Sequence, residues 1–303
     1  MITLYNQYSV SNNYVGSDWN YEKTTKYIFK IDCEYIEAGY FIHYLKDTTD
    51  MREKKQVIEL PSSYGCMMKC GFCASSQISH IRSLTAEEIY DIFLYIYNHN
   101  HLQNKTNILV SMMGIGDLYF TINNVEKVLK KINNKNKNII FSISSCCWTQ
   151  TMLKKVEILN TVIQFRTIQI TYITHHLQKI QNIIQYYKII TYNADSIIQM
   201  IYHSTIPYFK INYILIEGIN DSDEDFLTFI TKFKDVKDKI TVRISKINPT
   251  RASIKNGLTG SSIDRMEEFE KLLSRAGYKT YLFYSCNDDN MNCGQLVTEK
   301  LIQ

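Results

Sequence analysis

From residue 56 onward, short apolar runs alternate with segments of helical periodicity, and the alternation repeats six times. The runs fall at Val57–Leu60, Asn107–Met113, Ile139–Ser144, Thr167–Ile173, Lys210–Glu217 and Ile240–Ile247. Helical patterns separate and follow them at Thr85–Asn98, Asn123–Asn133, Thr149–Leu159, His175–Tyr187, Asn193–His203, Asp223–Val236 and Ser262–Ala276. Parallel neighbours need a long crossover, so strand and helix in strict alternation predict a parallel sheet with helices outside it. Start signals support the helices: Thr85 has Glu88 three residues on, and Ser222 precedes an acidic first turn. Six units are too few for a closed eight-stranded barrel, so the expected fold class is α/β, an open, partial (β/α)6 TIM barrel. In such sheets ligands sit beyond the C-terminal ends of the strands.

The N-terminal part reads differently. Residues 1–20 are polar and look loosely held. Residues 25–47 alternate, with many Tyr and Ile and with Gly39 near a turn, which predicts a small β-hairpin extension. The expected division is an extension over 1–55 and a core over 56–303.

The 303 residues are 45% hydrophobic and 21% charged, as in a soluble globular chain. No apolar run reaches the roughly 18 residues of a membrane span, and the first twenty residues lack a signal-peptide core, so the expected compartment is the cytoplasm. A net charge of +4 neither demands nor excludes a nucleic-acid partner. The Lys/Asn-rich stretch Lys127–Asn138 reads as compositional bias.

Eight cysteines in such a chain point to metal or catalysis rather than disulfides. Three stand as C-x3-C-x2-C in the segment PSSYGCMMKCGFCASSQ, at Cys66, Cys70 and Cys73, with the aromatic Phe72 before the last. The segment follows the first strand directly, which places it in the first β-α loop at the ligand-bearing end. Three thiolates can hold three irons of a 4Fe–4S cluster and leave the fourth open for a ligand from a cosubstrate. A zinc site would need a fourth ligand from elsewhere, such as His80 or Cys293. A redox C-x-x-C would leave Cys66 unexplained.

This segment resembles the cluster loop of the radical S-adenosylmethionine (SAM) enzymes, and most closely that of the RlmN/Cfr family, which methylates an adenine of ribosomal or transfer RNA. The likeness extends to Ser62-Ser63, to the glycine turn MMGIGD at Met112–Asp117 with Asn123-Asn124-Val125, and to the helix Ser262–Lys279. It ends with Asp288-Asp289 and the tail Cys293-Gly294-Gln295-Leu296. It implies a barrel of radical SAM type, with a 4Fe–4S cluster on Cys66, Cys70 and Cys73 and SAM as cosubstrate, cleaved reductively to a 5′-deoxyadenosyl radical. Cys293 matches the cysteine that receives a methyl group and carries it to the base. Glu37 matches a carboxylate near the reacting base. Gly116, Asp117, Ser142, Thr171, Tyr172 and Asn248 match SAM-contacting positions, with Phe72 in the cluster loop. The implied partners are an RNA and an external reductant such as flavodoxin or ferredoxin.

The chain departs from that pattern in places. The family's second catalytic cysteine, seven residues before the first cluster cysteine, is replaced by Glu59 or Leu60 according to the alignment. Only about 65 residues precede the cluster loop, where the family has an RNA-recognition domain. The family's Gly-Glu is Gly116-Asp117 here. These differences keep two other readings open: a repurposed radical enzyme acting on a small nucleotide, peptide or other metabolite, and a non-catalytic SAM- or RNA-binding regulator. Cys146-Cys147 read as packing residues and Cys33 as structural. His99 and His101 end a helix, and the adjacency of His175 and His176 argues against shared coordination of a metal.

Overall fold

The computed structural model describes residues 2–15, 19–45, 54–188, 193–285 and 291–300. Three long antiparallel strands open the chain: β1 (Ile2–Val15), β2 (Trp19–Ile31) and β3 (Glu34–Leu45). The first residues are therefore a strand rather than a loose arm, because their backbone groups pair along β2 with Ile2 opposite Ile31. Nor does the extension end as a separate hairpin. β3 pairs antiparallel with β4 (Lys55–Glu59), the first strand of the barrel, with Gly39 opposite Glu59.

After β4 comes a two-residue ribbon, β5 (Ser63–Tyr64) with β6 (Arg82–Ser83), which closes the cysteine loop at its base. The α/β alternation follows: α1 (Ala86–His99), β7 (Ile108–Met112), α2 (Leu118–Lys135), β8 (Ile139–Ser145), α3 (Gln150–Asn160), β9 (Phe165–Tyr172), α4 (Leu177–Ile183), α5 (Ala194–His203), β10 (Phe209–Leu215), α6 (Asp223–Phe233), β11 (Ile240–Lys246), α7 (Arg251–Lys255), α8 (Ile263–Arg275) and β12 (Lys279–Leu282). Among the described residues, the sheet runs β1-β2-β3-β4-β7-β8-β9-β10-β11-β12, parallel from β4 onward. The predicted partial barrel is present, with β12 as a seventh parallel strand. Its four half-buried or exposed residues carry too little apolar signal to stand out in the sequence.

Local chemistry explains the helix starts. Thr85 and Glu88 exchange capping hydrogen bonds at α1, and Ser222 and Asp225 do so at α6. Thr149, Asn193 and Ser262 accept from the third helical residue of α3, α5 and α8. Helix α2 begins five residues before the predicted Asn123, because Asp117 caps it by accepting from Tyr119 N.

Alternation along the parallel strands gives the sheet two different faces. Toward the helices it presents Val110, Phe141, Ile143, Ile168, Ile170, Ile211, Tyr213, Val242 and Ile244, all buried. An aromatic cluster seals that side: Phe226 stacks on Phe269 at 4.1 Å, and Phe229 lies 4.4 Å from Phe233 and 5.2 Å from Tyr213. The other face is polar, with Ser111, Ser142, Ser144, Gln169, Asn212, Arg243 and Ser245. There Gln169 Nε2 donates to Ser144 Oγ (3.0 Å) and Ser245 Oγ to Asn212 Oδ1 (3.0 Å). A concave face lined this way holds polar ligands rather than an apolar core.

Candidate active site

The cysteine loop runs from Leu60 to the β6 ribbon, at the C-terminal end of β4. Its entry is built against the glycine turn that follows β7. Ser62 N and Ser63 N both donate to Ile115 O, at 2.8 and 3.2 Å, and Gly114 N donates to Leu60 O at 3.2 Å. Both glycines are required by space. A Cβ on Gly114 would meet Leu60 O at 2.8 Å, and one on Gly116, whose φ is +110°, would meet Ser62 Oγ and Ser63 Oγ. The turn that resembles a SAM-binding motif is thus also the support of the cysteine loop.

The rest of the loop is held by its backbone. Cys73 N donates to Cys70 O (3.1 Å), Gly71 N to Ile183 O (2.7 Å) and Tyr186 N to Met68 O (3.3 Å). Asn256 Nδ2 donates to Gly71 O (2.8 Å) and Thr250 Oγ1 to Phe72 O (3.0 Å). Lys69, in the left-handed region at φ 50°, turns its ammonium back to Ser76 O and Ile78 O. Cys70 is buried, and Cys66 and Cys73 are half-buried. Burial, then Asp117 and Cys73, push the Cys66 thiol well up. A hydrogen bond with Cys146, then burial, do the same to Cys70. Three soft thiols in one loop suit an iron–sulfur cluster, and metal binding deprotonates such thiols; the imidazole of the same loop, His80, turns instead to Glu34 at 3.3 Å.

Asp117 is buried and its carboxylate is engaged. Besides Tyr119 N it accepts from Ser145 Oγ (2.5 Å) and Cys146 N (2.8 Å), so it ties the α2 cap to the end of β8. Burial raises its pKa, against the pull of these bonds. Ser142 lies buried on the polar face of β8, and Thr171 half-buried on that of β9. Tyr172 is placed elsewhere. Its ring packs in the helix layer 5.2 Å from Tyr213, 5.3 Å from Phe229 and 5.4 Å from Phe233, so strand alternation turns it away from the concave face. Burial raises its phenol, whose oxygen has no partner.

The C-terminal tail returns to the cysteine loop. Ala74 N donates to Gly294 O (2.8 Å), Asn248 Nδ2 to Cys293 O (2.9 Å) and Gln295 Nε2 to Pro249 O (2.8 Å). These bonds bring together Cys293, Asn248 and Phe72, three residues far apart in sequence. The Cys293 side chain is solvent-exposed yet deep among protein atoms. Desolvation, then the Glu59 carboxylate, push its thiol up to about 11, against Arg243. Glu59 itself pairs with Lys26 at 3.8 Å. Asp288-Asp289 and Cys286 lie outside the described residues.

Glu37 is not on a solvated strand face. It is 2% exposed, and its Oε1 accepts from Thr298 N (2.5 Å) and Thr298 Oγ1 (2.7 Å). Its other oxygen is buried without a hydrogen bond. Met291 and Val297 pack on Ile28 beside it, so this part of the tail lies across β2 and β3.

Three features were not legible in the sequence. Cys146, expected to be packing, stands against Cys70. Thr250 and Asn256 fasten the cysteine loop from across the barrel. The charges of Lys26, Glu59 and Arg243 act on Cys293. The only sequence hint was that Thr250 follows a strand at its C-terminal end.

Residues 60–230 match the radical SAM superfamily. The chain is 26% identical to the dual-specificity RNA methyltransferase RlmN of Buchnera aphidicola subsp. Schizaphis graminum, over 95% of this chain and 77% of that protein. It is 27% identical to the RlmN of Campylobacter hominis, over 91% and 78%. A radical SAM methyltransferase from Sphaerobacter thermophilus shares the fold, with a TM-score of 0.75 at 19% identity over 98% of this chain and 81% of that one. Superfamily members use a 4Fe–4S cluster and SAM, the pair that the family resemblance implied. No helix among the described residues is long and apolar enough to cross a membrane. With the cysteine loop at the strand ends, the glycine turn beneath it and the match across more than half its length, this chain belongs to the radical SAM superfamily.

Proposed function

We propose that this protein is a radical SAM methyltransferase acting on an RNA adenine or a related nucleobase, with Cys293 as the methyl carrier. The observation that carries the reading is the docking of the Cys293–Gln295 tail on Ala74 of the cysteine loop and on Asn248 and Pro249 after β11. The relatives named above as RNA methyltransferases support the substrate class.

In this reading Cys66, Cys70 and Cys73 hold the cluster. When bound, it supplies the electron, delivered by a flavodoxin- or ferredoxin-type donor, that cleaves SAM. Gly114 and Gly116 allow close backbone approach, and Ser142, Thr171 and Asn248 offer hydrogen-bonding groups near the strand ends. Cys293 loses its proton and attacks the methyl carbon of one SAM. A new S–CH3 bond forms as the sulfonium C–S bond breaks, and S-adenosylhomocysteine leaves. A thiol held up near 11 is a weak acceptor at neutral pH, so the carrier step needs a base. Among the charges acting on the thiol, Arg243 and Lys26 favour the thiolate and Glu59, which pairs with Lys26, opposes it. Glu37 acts here as a positioning residue: its carboxylate holds Thr298 and so the tail that bears Cys293. The Tyr172 side chain packs in the helix layer, away from the concave face.

The test begins with anaerobic purification. Four irons per chain, lost in Cys66→Ala, Cys70→Ala and Cys73→Ala, are the expected result. Mass spectrometry should then find a methyl group on the Cys293 peptide, and nucleoside profiling should find a methylated adenine in RNA from cells with the gene only. Normal SAM cleavage with an unmethylated Cys293 peptide would rule out the carrier role.

A further inference from the structure

His175 and His176 occupy the turn between β9 and α4, and Asp225 sits in the first turn of α6. Among the described residues, these three are the group of metal-ligating side chains whose donor atoms all lie within 4.8 Å of one another. The two imidazole rings are 3.8 Å apart between centroids, and His176 Nε2 lies 3.9 Å from Asp225 Oδ1. Sequence adjacency had argued against joint coordination. The turn overrides it by folding both rings to the same side, toward α6.

The carboxylate is set for the task. Asp225 Oδ2 accepts from Ser222 N (3.3 Å) and Ser222 Oγ (2.5 Å), which fixes the group and leaves Oδ1 toward the histidines. A ligating carboxylate oriented by an outer hydrogen bond is the usual arrangement in protein metal sites. Burial, then His176, lower the pKa of His175, so the neutral form that binds metal is favoured. Two cations face the group. Lys179 Nζ is 3.8 Å from Asp225 Oδ1 but also donates to Ile219 O at 2.6 Å, and Lys232 pairs with Asp195.

We infer that His175, His176 and Asp225 form a site for a divalent first-row transition-metal ion of the zinc class, separate from the cysteine loop. Two imidazoles and one carboxylate are a recognised donor set for such ions, with an open position left for water. Donors about 2.0–2.1 Å from a tetrahedral ion stand roughly 3.3–3.4 Å apart, so closure needs a shift of about 1 Å. His176, whose side chain is 46% exposed, has room to make it. The ion would tie α4 to α6. Because Ile183 at the end of α4 accepts from Gly71 N, and Ile184 bridges to Cys70, that tie braces the cysteine loop from outside.

The test uses cluster-loaded protein, so that iron already occupies the cysteines. It is dialysed against micromolar zinc and analysed for both metals. The expected result is one zinc per chain beside unchanged iron, with a zinc absorption edge fitted by nitrogen and oxygen ligands alone. His176→Ala should weaken zinc binding at least tenfold. Lys179→Ala, which removes a competing cation, should tighten it at least threefold, an effect that a purely structural role for the lysine would not produce. No zinc above background in the wild type, sulfur in the zinc shell, undiminished zinc in His176→Ala or unchanged affinity in Lys179→Ala would each overturn the assignment. Iron content reports the cluster separately, so failure of this site and failure of the proposed function remain distinguishable.

Discussion

Gly116 shows how one residue can be specified twice. Its φ of +110° is strained for any side chain, and its Cα faces two serine hydroxyls that leave no room for a methyl group. Gly116→Ala is expected to lower stability by about 1–3 kcal/mol and to reduce iron loading, since Ser62 and Ser63 begin the cysteine loop. Thermal unfolding and iron per chain check the two effects together. Asp117, next to it, shows the reverse case. Likeness to a family motif predicts a ligand contact, but the structure engages the same carboxylate with Tyr119 N, Ser145 Oγ and Cys146 N. The carboxylate, one methylene shorter than glutamate's, caps α2 and ties it to the end of β8. Asp117→Ala should therefore disturb the start of α2 as well as any SAM contact, by about 1–2 kcal/mol at the cap alone.

Among elements, the C-terminal tail is the most dependent on distant partners. Residues 291–298 are held by Asn248 and Pro249 after β11, by Ala74 in the cysteine loop and by Glu37 on β3. Thr298→Val removes the hydroxyl bond to Glu37 and is expected to cost about 1–3 kcal/mol of local stability, because Glu37 would keep less hydrogen bonding in a buried setting. Hydrogen exchange should then rise across the tail while the strands stay protected. Helix α6 depends instead on one apolar surface. Phe229 touches Tyr172, Tyr213, Phe233 and Phe269 at ring distances of 4.4–5.9 Å. Phe229→Ala is expected to destabilise the fold by about 3–5 kcal/mol, read as a shift in the unfolding midpoint. The helix starts were legible because caps are local chemistry. β12 and α7 were not, since each is too short for a periodic pattern and forms only where a neighbour is already in place.

At the scale of the whole molecule, the polar concave face carries a concentration of positive charge at the end opposite the cysteine loop. Lys55, the first residue of β4, is buried there. Desolvation, then Arg166 and Lys210, lower its pKa to about 7. The sign follows from linkage. An unfolded lysine keeps its proton to about pH 10.4. The folded one releases it above about 7, so from pH 7 to 10 the unfolded chain binds more protons and stability rises with pH. The slope from this one group is up to about 1.4 kcal/mol per pH unit. Urea unfolding of the wild type against Lys55→Met across that range should show the difference grow with pH, and equal slopes would refute the shifted lysine.

The sequence by itself determined the parallel α/β order, the helix caps, the cysteine loop at the end of the first barrel strand and the glycine turn after the next. Each of these is written in residues a few positions apart, where periodicity, capping and spacing act. Only the tertiary structure decided that the N-terminal strands extend the barrel sheet, that Tyr172 faces the helices, that Glu37 is buried under the tail, and that Cys146 and Cys293 join a loop more than seventy residues away. Those outcomes depend on which face of a strand meets which neighbour, and on backbone hydrogen bonds between segments that meet only when the barrel closes around them.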